Sequence, residues 1–66
     1  MKDFTIRMVD GRKYWARGER MKDILDLISM ARLTNNGFLD VRTNLIFKYV
    51  TINVDQIVSI EEEDDI

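Results

Sequence analysis

The chain has 66 residues, ten of them Lys or Arg and twelve Asp or Glu, with no His and no Cys, for a net charge of −2. That length allows one domain, which hides only about 60% of the surface its unfolded chain exposes and is therefore marginally stable. Without thiolate or imidazole there is no disulfide, no ordinary zinc site and no usual nucleophile–base pair, so neither a metal, a cofactor nor an enzymatic activity is expected.

The first element is "FTIRM", in which Phe4, Ile6 and Met8 alternate with Thr5 and Arg7, the period of a half-buried strand. Asp10-Gly11 is a hairpin signal, and "RKYWARG" supplies the second strand. A two-residue loop would pair Ile6 with Trp15 and put Lys13 and Arg17 on the apolar face. A three-residue loop with Gly11 in the left-handed conformation pairs Ile6 with Tyr14 and Phe4 with Ala16. Because a one-residue slip exchanges the two faces, the apolar pattern selects the second register. Arg7, Lys13, Trp15 and Arg17 then share the outer face.

"ERMKDILDLISMARL" follows. Met21, Ile24, Leu25 and Ile28 form the stripe of an amphipathic helix over about residues 21–32, widened by Leu27 and Met30 and stopped by "TNNG". "FLDVRT" is a third strand with Leu39 and Val41 on one face. "KYVTINV" is a fourth with Val50, Ile52 and Val54 inward, and a loop near Asn44 joins the two. Asp55-Gln56 breaks the pattern, and "IVSIE" is a short fifth strand or a bent continuation of the fourth. The order β-β-α-β-β(-β) predicts an α+β domain over residues 1–60: a small antiparallel sheet, or a partly open barrel, with one helix. Residues 61–66 form an acidic tail. Its "EEEDD" run leaves ten basic against seven acidic residues elsewhere, a body of net charge +3. Such a tail is expected to be solvated and disordered; the functional alternative is a tail that folds over a basic face.

Two surfaces are candidates for binding. Arg7, Arg12, Lys13, Trp15 and Arg17 combine phosphate-binding cations with a stacking aromatic, the composition of a nucleic-acid face. The acidic tail and low isoelectric point weigh against it. Trp15 beside arginines is also typical of protein-interface hot spots, although burial beneath the helix or the C-terminal segment would explain it as well. "LIFKYV" is apolar on both faces apart from Lys48, the mark of a strand covered on both sides or of an edge that pairs with another chain. Trp15, Leu45, Phe47 and Tyr49 are therefore the candidate protein interface. Asp23 and Asp26 are ordinary dipole partners in the first turns of a helix, and Gly11, Gly18 and Gly37 are too scattered for a phosphate loop.

"FTIRMVDGRKYWARGERMKDILDLI" resembles one module of the short FlbD-like family: an apolar strand, an Asp-Gly turn, a Lys-Tyr strand and an amphipathic helix. "YVTINVDQIVSIEEE" resembles that family's other module, a strand entering an N-x-D-x-I-x-x-I-E-E pattern. Family members carry the two in the opposite order. A looser likeness is to Sm-like and SH3-like small barrels, although there the helix precedes the first strand. The chain also resembles short phage-encoded or mobile-element proteins that act by binding a host protein. These likenesses imply a small sheet-plus-helix binding module and transfer no site residue.

No apolar run approaches the ~20 residues needed to span a bilayer, and charges interrupt the N-terminal "MKDFTIRMVDG" where a signal peptide would be apolar. The expectation is a cytoplasmic, non-enzymatic protein-binding module that partners another protein or itself as a homo-oligomer, with nucleic-acid binding as the alternative.

Overall fold

A computed structural model describes residues 1–43 and 48–63. Five strands and one helix follow in the order β1 (Lys2–Met8), β2 (Lys13–Gly18), α1 (Met21–Thr34), β3 (Phe38–Arg42), β4 (Tyr49–Asn53) and β5 (Ile57–Glu62). A single 3₁₀ turn, Val54–Gln56, joins the last two. All strand pairs are antiparallel, and the sheet order is β4-β3-β2-β1-β5. The sheet is open, with β4 and β5 as its edges, rather than a partly open barrel.

The β1–β2 hairpin adopts the three-residue loop. Phe4 faces Ala16 and Ile6 faces Tyr14, while the Met8 amide donates to the Arg12 carbonyl at 2.9 Å. Gly11 has φ +89°, a conformation that costs glycine nothing and strains a residue with a Cβ. The Asp10 carboxylate accepts from the Arg12 amide at 3.0 Å and holds the turn from inside.

The helix starts where the Asp23 carboxylate accepts from the amides of Glu19 and Arg20, at 2.9 and 3.0 Å. These would otherwise be unpaired donors near the helix start. It ends two residues beyond the expected 32. Thr34 Oγ1 donates to the Met30 carbonyl at 2.7 Å, and the chain turns only at Asn36 and Gly37, both with positive φ.

One face of the sheet packs on α1. Phe4, Ile6, Met8, Ala16, Ile24, Ile28, Ala31, Val41, Ile52 and Val54 form the core, with Tyr14, Met21, Leu39, Val50, Ile57 and Ile60 packed against it. Phe4, Ile6 and Ile24 are wholly buried. The sheet is thin at one point: β2 and β3 meet through the single pair Trp15–Arg42. The helix contacts both of those strands and bridges the join.

β5 is a separate strand against β1, not a continuation of β4. Asn53 Oδ1 accepts from the Asp55 amide at 2.9 Å, which closes the 3₁₀ turn and releases the chain from the β4 edge. Arg32 on the helix pairs with Asp55 at 3.3 Å. β5 also runs to Glu62, two residues past the expected boundary of the domain, and the Glu63 amide donates to the Asp3 carbonyl at 3.0 Å. Glu61 and Glu62 are thus strand residues; residues 64–66 lie outside the described part of the chain.

Candidate functional site: an open sheet face and an unguarded edge

The face of the sheet away from α1 has no layer over it among the described residues. Cross-strand registers set one row across it: Tyr49, Arg42, Trp15, Thr5 and Glu61, one residue from each strand. Sequence reasoning placed Arg7, Lys13, Trp15 and Arg17 together, and the structure gathers these four on this face. Arg12 stands apart, at the hairpin turn. It pairs with Asp10 at 3.4 Å, and its charge is favoured first by the Tyr14 hydroxyl and then by Asp10.

Two of the four cations of this face meet a carboxylate of the same chain. Arg7 pairs with Glu61 at 2.6 Å and Arg17 with Asp3 at 3.0 Å. Lys13 and Arg42 make no ion pair among the described residues. Glu63 lies at the centre, where its Oε1 accepts from Thr5 Oγ1 at 2.5 Å and from Trp15 Nε1 at 3.3 Å. Thr5 is consequently only 6% exposed although it points away from the core. Thr5, Arg7, Lys13, Trp15 and Glu61–Glu63 line an open hollow of about 300 Å³. Trp15 is half-buried, held from the C-terminal side rather than beneath the helix. Sequence reasoning did not identify Arg42 as part of this face. Its signal was present, because Asp40 and Arg42 alternate with the inward Leu39 and Val41, but the neighbour of Arg42 depended on strand order.

The two edges differ. Along β5 the register shifts between Arg7 and Met8: Ser59 faces Arg7, Ile57 faces Met8, and Val58 is the extra residue of a bulge. Glu61 and Glu62 add charge, and Lys2 pairs with Glu62 at 2.7 Å. Along β4 the register with β3 is unbroken from Phe38–Asn53 to Arg42–Tyr49. The segment Tyr49-Val50-Thr51-Ile52-Asn53 has no charge, no proline and no bulge.

The direction of its backbone groups follows from the two ends of the ladder. The Thr43 amide donates to the Lys48 carbonyl at 3.1 Å, and the Val54 amide donates to the Gly37 carbonyl at 2.8 Å. Hydrogen-bonded pairs alternate along an antiparallel ladder. Lys48, Val50, Ile52 and Val54 therefore bond toward β3, and the N–H and C=O groups of Tyr49 and Thr51 and the N–H of Asn53 point out of the sheet, while the Asn53 carbonyl caps the 3₁₀ turn. An open groove of about 450 Å³ runs between α1 and β3, the strand next to β4; Leu27, Met30, Thr34, Asn35, Phe38 and Asp40 are among its lining residues, and no described residue of β4 is. Leu39 is the cross-strand partner of Ile52. Met30 is 55% and Phe38 45% exposed. Leu27 and Met30 were read as a wider core stripe; they instead form an apolar flank left open beside β3.

Of the candidate interface residues, Trp15 and Tyr49 lie in the outer row; Leu45 and Phe47 lie outside the described residues. Among the described residues no three Asp or Glu side chains converge to hold a metal ion, and no helix is long and apolar enough to cross a membrane. No protein-family model, curated protein or solved structure matches the chain.

Proposed function

We propose that the chain is a non-enzymatic, cytoplasmic protein-binding module that captures an extended segment of a protein along β4. The observation that carries this reading is the β4 edge itself. Three positions with outward-facing backbone groups stand on an uncharged strand of high β propensity. Exposed strand edges are ordinarily blunted by charge, proline or bulges because they template pairing. A protein that blunts one edge and leaves the other open has a use for the open one. Strand addition takes affinity from main-chain hydrogen bonds and specificity from the side chains beside them.

The test is Thr51→Pro, which removes an outward N–H at an edge position where proline is tolerated. Native mass spectra of the untagged parent and variant, isolated from their own host at low salt, are compared, with circular dichroism as the check on folding. The parent is expected to carry a protein partner or a second copy that the folded variant lacks. The same complexes in both would overturn the reading.

A second reading, single-stranded nucleic acid across the outer face, is favoured by the Tyr49–Arg42–Trp15 row, in which Arg42 and nearby Lys13 have no carboxylate partner among the described residues. A polynucleotide in the parent's mass spectrum that Trp15→Ala removes and Thr51→Pro does not would select it. The ion pairs of Arg7 and Arg17 make it the weaker reading, because phosphate contacts would have to displace carboxylates already in place.

A further inference from the structure

We infer that the strand added to β4 is β4 of a second copy, paired antiparallel about Thr51; the inference rests on strand capture at this edge and names its occupant. Two-fold pairing of a strand with itself works only if the outward-facing residues match one another across the dyad. Here they do. With Thr51 opposite its own copy, Tyr49 falls opposite Asn53 of the second chain and Asn53 opposite its Tyr49. The N–H and C=O groups of Tyr49 and Thr51 and the N–H of Asn53 leave the sheet, so the Thr51 pair exchanges two bonds and each Asn53 amide donates to the Tyr49 carbonyl of the other chain. Moving the dyad to Val50 or Ile52 sets an outward pair at only two of these positions. A dyad between residues would oppose outward-facing groups to inward-facing ones.

Side chains agree with the same register. Val50 falls opposite Ile52 of the copy, twice, on the helix side of the sheet, where Val50 is half-buried and Ile52 buried. Apolar β-branched pairs of this kind are favourable across strands. No charged residue of β4 opposes a like charge, because the strand contains none. The two-fold axis is normal to the sheet, so the product is one continuous ten-stranded sheet with both helices on one face. The two Tyr49–Arg42–Trp15 rows would then share the other face. Pairing β4 to β5 of a copy would instead be head-to-tail and open-ended, and the Val58 bulge with Glu61 and Glu62 obstructs it.

The chain has no cysteine, which permits a direct test. Thr51→Cys places two thiols across the dyad, about 5.5 Å apart at Cα, within reach of a disulfide. Asn53→Cys places each thiol opposite Tyr49, away from its own copy. Treated with diamide under native conditions, Thr51→Cys is expected to cross-link to a dimer at least about tenfold faster than Asn53→Cys. Equal rates, or no cross-link from a folded Thr51→Cys variant, would overturn the inference. If that failure came with a hetero-complex that Thr51→Pro abolishes, strand capture would stand and only the identity of the occupant would fall.

Discussion

β4 and β5 are the two edges of one sheet, similar in length, and they treat water differently. β5 is bulged at Val58, carries Glu61 and Glu62, and is tied to β1 at its end by Lys2–Glu62 and by Glu63 on Thr5. β4 is regular, uncharged and open. The contrast separates two uses of a strand edge. β5 completes the fold and is protected against further pairing. β4 shares in the core through Ile52 and Val50 while the N–H and C=O groups of Tyr49 and Thr51 point out of the sheet. In the proposed function that uncharged edge is where a partner strand adds.

The two edges differ most on the core side of β4. Ile52 is 6% exposed and Val58 64% exposed. Truncation to alanine should cost about 2–4 kcal/mol at Ile52 and under about 0.5 kcal/mol at Val58. Urea unfolding of the two variants checks this; similar midpoints would mean that β4 is not anchored as described. A smaller effect is expected at the protected end. Thr5→Val removes the hydroxyl that donates to Glu63 and should lower stability by about 1 kcal/mol. It should also change Trp15 emission, because the same carboxylate accepts from the indole. A fluorescence-monitored melt reads both quantities.

The smallest effect is the pH dependence of the Lys2–Glu62 guard. Lys2 is held above its ordinary value, first by its hydrogen bond to Glu62 and then by that residue's charge. A raised lysine stabilises the fold at every pH below its unfolded value and loses that contribution as pH rises through the folded value. The melting temperatures of the parent and Glu62→Gln should therefore differ slightly at neutral pH and converge on the alkaline side. The pair is exposed, so the neutral difference should be small and should shrink with added salt. A difference that persisted after Lys2 had lost its proton would assign the effect of Glu62 to something other than this pair.

Much of the local structure is legible in the residues. The choice between two hairpin registers followed from keeping Lys13 and Arg17 off the apolar face, and the observed Phe4–Ala16 and Ile6–Tyr14 pairs agree. The 3.6-residue repeat located α1 at Met21, and its end lies at Thr34 because the Asn35 amide still donates to the Ala31 carbonyl and the chain turns left-handed only at Asn36 and Gly37. The candidate site was half legible. Alternation says which face a side chain takes, so Arg7, Lys13, Trp15 and Arg17 could be grouped. It says nothing about which carboxylates arrive from a distant strand, and Glu61 pairs with Arg7 and Glu63 accepts from Trp15 from more than forty residues away.

Sequence alone therefore settled the first four strands and the helix, the inward faces of those strands and the register of the one hairpin closed by a short turn, because these depend on neighbours within a few residues. Long-range pairing settled the rest. The 3₁₀ turn carries the chain from β4 to the far side of β1, and that crossing makes β4 an edge, makes β5 its protected counterpart, and sets Glu63 against Trp15. Period-two patterning is the same for a central strand and an edge strand with one buried face. Only the sheet order, a property of the whole chain, distinguishes them.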